Sequence, residues 1–181
     1  MGWRDLERVW AVGHVNPATS MYFEWNAASG ELLAEAAGSR FTVSPDRRSV
    51  AHLENVPLGA PAPFDRASLI IDGNTVWPVD SRYHRVAGAL MWSADSRSLA
   101  FVDRVEESTE VVVLDRDGKV RSNVPVRDDV QMLGWTPDAL MIADSDEQAW
   151  SVTNSGAVKS NLAAGKVQVR STLDPCRPSS Q

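Results

Sequence analysis

Cysteine is almost absent from this chain of 181 residues. Cys176 stands alone, so we expect no internal disulfide and no zinc site built on paired thiols. The longest apolar runs, such as 111–114, span a few residues, which excludes a transmembrane helix. No charged-then-apolar leader opens the chain, so no secretory signal is expected in it. We expect a soluble protein, periplasmic or otherwise extracytoplasmic if a signal has been removed and cytoplasmic if not.

A basic surface is also missing. The chain carries 24 acidic against 18 basic side chains, a net charge of −6. This balance argues against a broad surface for nucleic acid or anionic membrane. Apolar residues make up 43% and charged residues 23%, which is the profile of a globular domain.

Known catalytic motifs are missing as well. The chain has no Gly-x-Ser-x-Gly elbow, His-Glu-x-x-His pair, P-loop or dinucleotide fingerprint. The segment 144–148 resembles a calcium loop in outline, but Ala149 stands where that loop needs Gly and Ser155 where it needs a bidentate Glu. We therefore expect a non-enzymatic protein with no cofactor and no metal site.

What the sequence does contain is a repeat. Segments 44–51, 93–100 and 136–143 align without a gap as hydroxyl residue, Pro or Ala, Asp, three variable residues, aliphatic residue and Ala. Such a segment predicts a tight turn closed by Ser or Thr, followed by a strand. Trp92 and Trp135 precede two of these turns at matching positions and are expected in the core.

A second sequence pattern recurs along the chain, in the intervals between the turns just described. Turns rich in Asn, Asp and Gly end at Gly30, Gly73, Gly118 and Gly156, which lie 43, 45 and 38 residues apart. Such turns join the strands of hairpins. Two landmarks with one period predict an all-β fold of about four units, each an antiparallel sheet of four short strands. We expect a single domain over 1–173 and a flexible tail over 174–181, with repeats near 1–38, 39–87, 88–130 and 131–165.

The repeat resembles the TolB-type β-propeller blade, in which an apolar residue precedes Ser or Thr, Pro or Ala, and Asp, and an aliphatic-Ala pair follows. The sequence departs from that pattern after the Asp, where Gly is usual and Arg47, Ser96 and Ala139 stand here. The resemblance implies a propeller fold. It implies no functional residues, because one fold carries many activities.

Ring closure admits three arrangements. The alternating run 166–173 is a candidate closing strand that would complete a small ring in the monomer. Alternatively, this run pairs with another copy of the chain in a homodimer. In the third arrangement the ring stays open, as it would in an incomplete propeller or a fragment of a larger one.

The longest loop, 54–66, is the predicted working surface. Its three prolines keep it stiff, which reduces the entropy lost on binding. Aromatic and guanidinium groups, which often anchor interfaces, gather in it and in a second loop predicted on the same side. The alternative is that this loop only caps the ring. The predicted binding residues, including two histidines placed in loops, are Phe64, Arg66, Arg82, Tyr83, His84, Arg85 and His14.

Two functions remain open at this stage. The first is a binding or scaffold module that recognises a protein or peptide, or a glycan, through its loop face. The second is a small hydrolase or lyase at the ring mouth that uses His14 and His84.

Overall fold

The computed structural model describes residues 1–16, 19–55, 67–77, 84–105, 108–127, 129–146, 148–153 and 156–163. Fifteen strands and no helix lie in these ranges, and every strand pairing among them is antiparallel. The all-β prediction is confirmed. The strands are β1 (Gly2–Trp3), β2 (Arg8–Asn16), β3 (Thr19–Asn26), β4 (Leu32–Val43), β5 (Val50–Asn55), β6 (Ala67–Ile71), β7 (Asn74–Trp77), β8 (His84–Trp92), β9 (Ser98–Val105), β10 (Ser108–Asp115), β11 (Val120–Val126), β12 (Gln131–Trp135), β13 (Leu140–Ala143), β14 (Gln148–Thr153) and β15 (Gly156–Ala163).

The strands form three sheets, of which the first contains two units. β1 to β7 make one seven-stranded sheet, β8 to β11 a second and β12 to β15 a third. Within the first, β4 pairs with β3 up to Gly38 and with β5 from Ser39 onward. Arg40 has a φ of 55° at this junction, where the pairing shifts register. We call the four groups of strands unit 1 (β1 to β4), unit 2 (β4 to β7), unit 3 (β8 to β11) and unit 4 (β12 to β15); units 1 and 2 share β4.

The predicted Ser–Asp turns form in units 2 and 3. The Ser44 N–H donates to the Ser49 carbonyl at 2.9 Å, and the Ser49 N–H donates back to Ser44 Oγ at 2.9 Å. Ser44 Oγ in turn donates to the Asp46 carboxylate at 2.6 Å. The turn over 93–98 repeats these contacts at 2.8, 2.9 and 2.6 Å. The repeated Ser and Asp therefore fix the shape of the turn.

The third turn is shorter, and the gapless alignment was wrong there. The Thr136 N–H donates to the Ala139 carbonyl at 2.8 Å, so the turn closes two residues earlier than in the other units. β13 begins at Leu140, which takes the place held by Val50 in unit 2. Ile142 and Ala143 match the aliphatic-Ala pair of the repeat in residue type. They are the third and fourth residues of β13, however, and do not lie at its start.

Two apolar cores lie between successive units. Between units 2 and 3, Leu69 and Ile71 pack with Phe101 and Leu114, all at most 2% exposed. Between units 3 and 4, the neighbouring positions of the same strands, such as Ala100 and Val111, pack with Leu140 and Ile142. Both faces of the unit 3 sheet are therefore buried, which explains the uninterrupted apolar run in β10.

Polar and aromatic groups join units 1 and 2. Arg4 donates to buried Glu24 at 2.7 Å and, from its other terminal nitrogen, to the Arg48 carbonyl of unit 2 at 2.7 Å. The rings of Tyr22 and Phe41 stack at 5.9 Å between centroids, and Phe41 stacks on His52 at 4.6 Å. His52 lies in β5 and is buried.

Within the described ranges, no helix has the length and apolar character needed to cross a membrane. The predicted closing strand 166–173 and the tail 174–181 lie outside the described residues. Which of the three closure arrangements the chain adopts stays a prediction.

Candidate binding cleft

Two irregular strands leave a cleft between units 3 and 4. The pairing of β8 with β9 jumps from Ala87 to Met91, with Gly88 at a φ of 69°. β12 has a similar shift between Met132 and Gly134. Bulges of this kind bend a strand away from its neighbour and are frequent at functional sites. Here they flank a cleft of about 260 Å³.

The cleft has apolar walls and two exposed polar groups. Val102, which lines the cleft from unit 3, is buried, and Met132 and Val130 on the unit 4 side are half-buried. Arg104 and Gln131 are exposed and supply a cation and an amide. The residues that line it are Ala87, Gly88, Ala89, Val102, Arg104, Val130, Gln131 and Met132. Apolar walls with a few polar groups are typical of sites that bind an organic ligand.

A charged cluster beside the cleft holds its unit 4 wall in place. Arg127 donates to Asp146 at 2.9 Å and lies 3.6 Å from Asp129 and 3.8 Å from buried Asp144. Ser145 donates to Asp129 from both its N–H and its hydroxyl, and the hydroxyl bond lowers the pKa of Asp129. These bonds tie the segment before Val130 to the turn after β13. Among the described residues, no set of His, Cys, Asp and Glu is arranged to hold a metal ion.

Four predicted binding residues, Phe64, Arg66, Arg82 and Tyr83, lie outside the described residues. Arg85 belongs to β8, where its backbone pairs with that of Arg104. Its register position is therefore next to the cleft.

The placement of both histidines in loops was wrong. His14 lies in β2, where its Nδ1 is 3.0 Å from the hydroxyl of Ser20 across the strand pair. His84 is the first residue of β8 and pairs with Val105. Strands β2 and β8 extend further than predicted. Polar residues such as His and Asn do not end a strand as long as the neighbouring strand continues to pair with it.

Sequence reasoning missed Arg104, Gln131 and Met132. One signal was available: Ala87-Gly88-Ala89 places a glycine inside a strand, which often marks a bulge. The sequence of β12 has no pattern that indicates that its first residues lie opposite this bulge.

Comparison with known proteins bears on the fold. No protein-family model matches the chain, and no curated protein matches it. Three similar solved structures each contain a propeller or belong to a peptidase. The propeller domain of the trilobed protease from Pyrococcus furiosus, described as having an open velcro topology, superposes with a TM-score of 0.54 at 14% identity, over 84% of this chain and 53% of that one.

The other two are acylaminoacyl peptidases. The enzyme from Pyrococcus horikoshii gives a TM-score of 0.53 at 13% identity, over 86% of this chain and 31% of that one. An acylaminoacyl peptidase in complex with a chloromethyl ketone gives 0.52 at 13% identity, over 88% of this chain and 31% of that one.

The chain has a β-propeller fold. The sheets, their antiparallel order and the similar structures agree on this point. The chain spans about half the length of the trilobed-protease propeller and about a third of the peptidases. At these identities the likeness extends to the propeller fold and not to an activity.

Proposed function

We propose that this propeller is a non-enzymatic binding module that recognises an extended peptide segment of a partner protein in the cleft between units 3 and 4. The observation that carries this proposal is the cleft itself, with apolar walls and an exposed guanidinium at one side. An apolar side chain of the partner would pack against Val102 and Met132. A carboxylate of the partner would accept hydrogen bonds from Arg104, since guanidinium groups bind carboxylates in a bidentate manner.

The register of β8 supports an acidic ligand group. Arg85 and Arg104 are direct cross-strand partners in the register of β8 and β9, so two basic residues occupy adjacent positions beside the cleft. An acidic group of a peptide is complementary in charge to these two positions.

We also infer that the repeat is of the TolB type. Arg47 and Ser96 both have a φ of 61°, in the left-handed region that favours glycine. These are the positions where the TolB-type repeat usually has Gly. The backbone therefore keeps the shape of that repeat although the side chains differ.

The test is peptide selection followed by measurement of affinity. A random peptide library is selected on the full chain, and the best peptide is labelled for fluorescence anisotropy. We expect acidic, apolar peptides, and we expect Arg104→Ala to weaken their binding by about tenfold or more, as for the loss of a central interface arginine.

Arg97→Ala is the matched control. Arg97 is an arginine with 86% of its side chain exposed, located in the turn before β9 and away from the cleft. Its removal should leave the affinity unchanged. Equal loss in both variants, or selected peptides without acidic residues, would contradict the proposal.

A second candidate is a small hydrolase, favoured by the contact between His14 and Ser20. A histidine within hydrogen-bond reach of a serine hydroxyl can act as its general base. However, Ser20 is 7% exposed, which restricts access of a substrate carbonyl. A broad panel of ester and peptide substrates tests this candidate: turnover that is lost in His14→Gln would favour it over the binding module.

A further inference from the structure

β8 has one edge that is not paired with a strand. It is the terminal strand of the unit 3 sheet, whose order is β11-β10-β9-β8, and no second strand of the described chain pairs with it. Side chains of the two neighbouring units bind its main chain instead. Arg40 of unit 2 donates to the Val86 carbonyl at 2.7 Å, and the Trp135 indole of unit 4 donates to the Met91 carbonyl at 3.1 Å. Strand edges are commonly protected, because an exposed edge can pair with another chain.

Between Val86 and Met91, β9 satisfies only part of the main chain of β8. The pairing passes from Ala87 to Met91 on β8 while β9 advances by two residues, so residues 88–90 stand opposite Phe101 alone. Phe101 offers one N–H and one carbonyl, whereas residues 88–90 have three of each, and a bulge leaves its extra residues unpaired. Main-chain groups of this bulge must therefore find partners outside the sheet.

The unpaired residues border the cleft. Leu90 is buried in the core between units 2 and 3, but Gly88 and Ala89 are exposed and line the cleft. Gly88 has a φ of 69°, a conformation that glycine adopts without a steric cost. A Cβ atom at Gly88 would have no neighbouring group within 4 Å, so the space beside its main chain is open. A ligand can therefore approach the bulge closely.

We propose that the partner's peptide binds by strand addition, in which its main chain exchanges hydrogen bonds with Gly88 and Ala89. This inference rests on the proposed function and deepens it, because it specifies how the peptide is held. Main-chain bonds then supply affinity, while Val102 and Arg104 select an apolar and an acidic side chain. Successive side chains of a strand point to opposite sides, so every second residue of the peptide reaches the cleft.

The length of the open edge limits the contact. Four residues lie between Val86 and Met91, and at about 3.3 Å per residue they span at most about 13 Å. A peptide segment of three or four residues covers this distance.

Strand addition also narrows the class of ligand. A residue that pairs with the bulge must offer a main-chain N–H, which proline lacks. We therefore expect the selected peptides to exclude proline next to the apolar residue that enters the cleft. Glycans and small carboxylic acids have no such main chain and are expected to bind much more weakly.

The test uses the peptide of highest affinity from the library selection, resynthesised with each main-chain amide replaced in turn by an ester. An ester removes one N–H donor and keeps every side chain. We expect one or two esters next to the apolar residue to weaken binding by about threefold to tenfold, the usual effect of one lost hydrogen bond. Esters at the two ends of the peptide are the internal control and should have no effect.

The outcomes separate this inference from the proposed function. A peptide that depends on Arg104 but tolerates an ester at every position would leave the binding module intact and refute strand addition. A library that yields no peptide would refute both.

Ala89→Pro tests the protein side, because it removes one N–H of the bulge. We expect the affinity for the unmodified peptide to fall by at least about threefold. Ala94→Pro is the matched control: Ala94 is exposed in the turn before β9, at the position that Pro45 and Pro137 occupy in the turns of units 2 and 4. It should bind as the native chain does.

Circular dichroism verifies that both proline variants fold. Native affinity in a folded Ala89→Pro variant would overturn the proposal. Should Ala89→Pro fail to fold, the ester series decides, since it leaves the protein unchanged.

Discussion

Asp46 accepts a hydrogen bond from Arg116 at 2.7 Å, although the two residues belong to turns of different units. The other carboxylate oxygen of Asp46 accepts the Ser44 hydroxyl at 2.6 Å and the Arg48 N–H at 3.0 Å. Its own N–H donates to Ser96 of unit 3 at 2.8 Å. Partial burial opposes ionisation, but the Ser44 hydroxyl and Arg116 outweigh it and lower the pKa of Asp46. One aspartate thus shapes its own turn and joins unit 2 to unit 3.

Removing the Asp46 carboxylate should lower the free energy of unfolding more than removing the Arg116 guanidinium that pairs with it. Asp46→Ala loses the turn bonds as well as the ion pair, and we expect a loss of about 1–2 kcal/mol in the free energy of unfolding, as for a lost capping group. Arg116→Ala removes a pair that is about one-third exposed and should cost less than about 1 kcal/mol. Urea unfolding measures both. Equal costs would mean that the ion pair, and not the turn, carries the effect.

The buried carboxylate of Glu24 should be among the most sensitive positions. Its side chain is 4% exposed and accepts from Arg4 and from the Tyr22 hydroxyl, each at 2.7 Å. Burial, followed by the hydrogen bond to Glu24, raises the pKa of Tyr22 to about 12. Glu24→Ala leaves Arg4 without its buried counter-charge and should cost about 3 kcal/mol.

A double variant separates this pair from general packing. Glu24→Leu combined with Arg4→Met should be less destabilised than Glu24→Leu alone, because no buried charge is left unpaired. Arg8, the other donor to Glu24, is 42% exposed and keeps its ion pair with Asp5. Denaturant unfolding of the single and double variants completes the cycle. Strictly additive losses would show that the two side chains act independently.

His52 should make the protein less stable as the pH falls. Burial lowers the pKa of His52 below its ordinary value near 6.5, while nearby Glu54 raises it slightly. Above about pH 6.5 the imidazole is neutral in both the folded and the unfolded chain. Below it the unfolded chain binds a proton first, so stability is lost until the folded pKa is reached. His52→Phe should flatten this part of the curve of unfolding free energy against pH.

His14→Gln is the control for that experiment, since His14 is exposed on β2. The same slope in the native chain and in His52→Phe would refute the assignment of the pH dependence to His52.

Arg47→Gly should stabilise the protein. A non-glycine residue at a φ of 61° costs about 1–2 kcal/mol, and glycine gives back part of this as chain entropy on folding. We expect a net gain of about 0.5–1 kcal/mol in thermal or urea unfolding. The control is Ala139→Gly at the aligned position of the third turn. The backbone is not left-handed there, so glycine should destabilise the protein. A gain at both positions would point to an effect on the unfolded chain.

The sequence predicted the repeated hairpins because short-range chemistry decides them. Asp72-Gly73 has φ angles of 48° and 79° and turns between β6 and β7, and Gly30 at 72° ends the turn before β4. Both follow from residues within four positions of one another. The alternation of side chains between the two faces of β3 was also predictable from the sequence. Which face is buried was not, because that depends on the contacts of β3 with Arg4 and unit 2.

The candidate site was the least predictable part. The cleft arises where a bulge at Gly88 meets the first residues of β12, more than forty positions away. Arg85 and His84 lie at the start of β8, while the loop predicted as the working surface, 54–66, lies largely outside the described residues. Long-range contact between two irregular strands leaves no local pattern to detect.

The shared strand β4 also decides how this protein can be divided. Since one unbroken strand serves units 1 and 2, a cut near Arg40 would remove an edge from each and expose backbone on both fragments. A cut between Trp77 and His84 severs no described strand. Split-protein reporters, circular permutants or inserted domains should therefore be tolerated at the second position and rejected at the first.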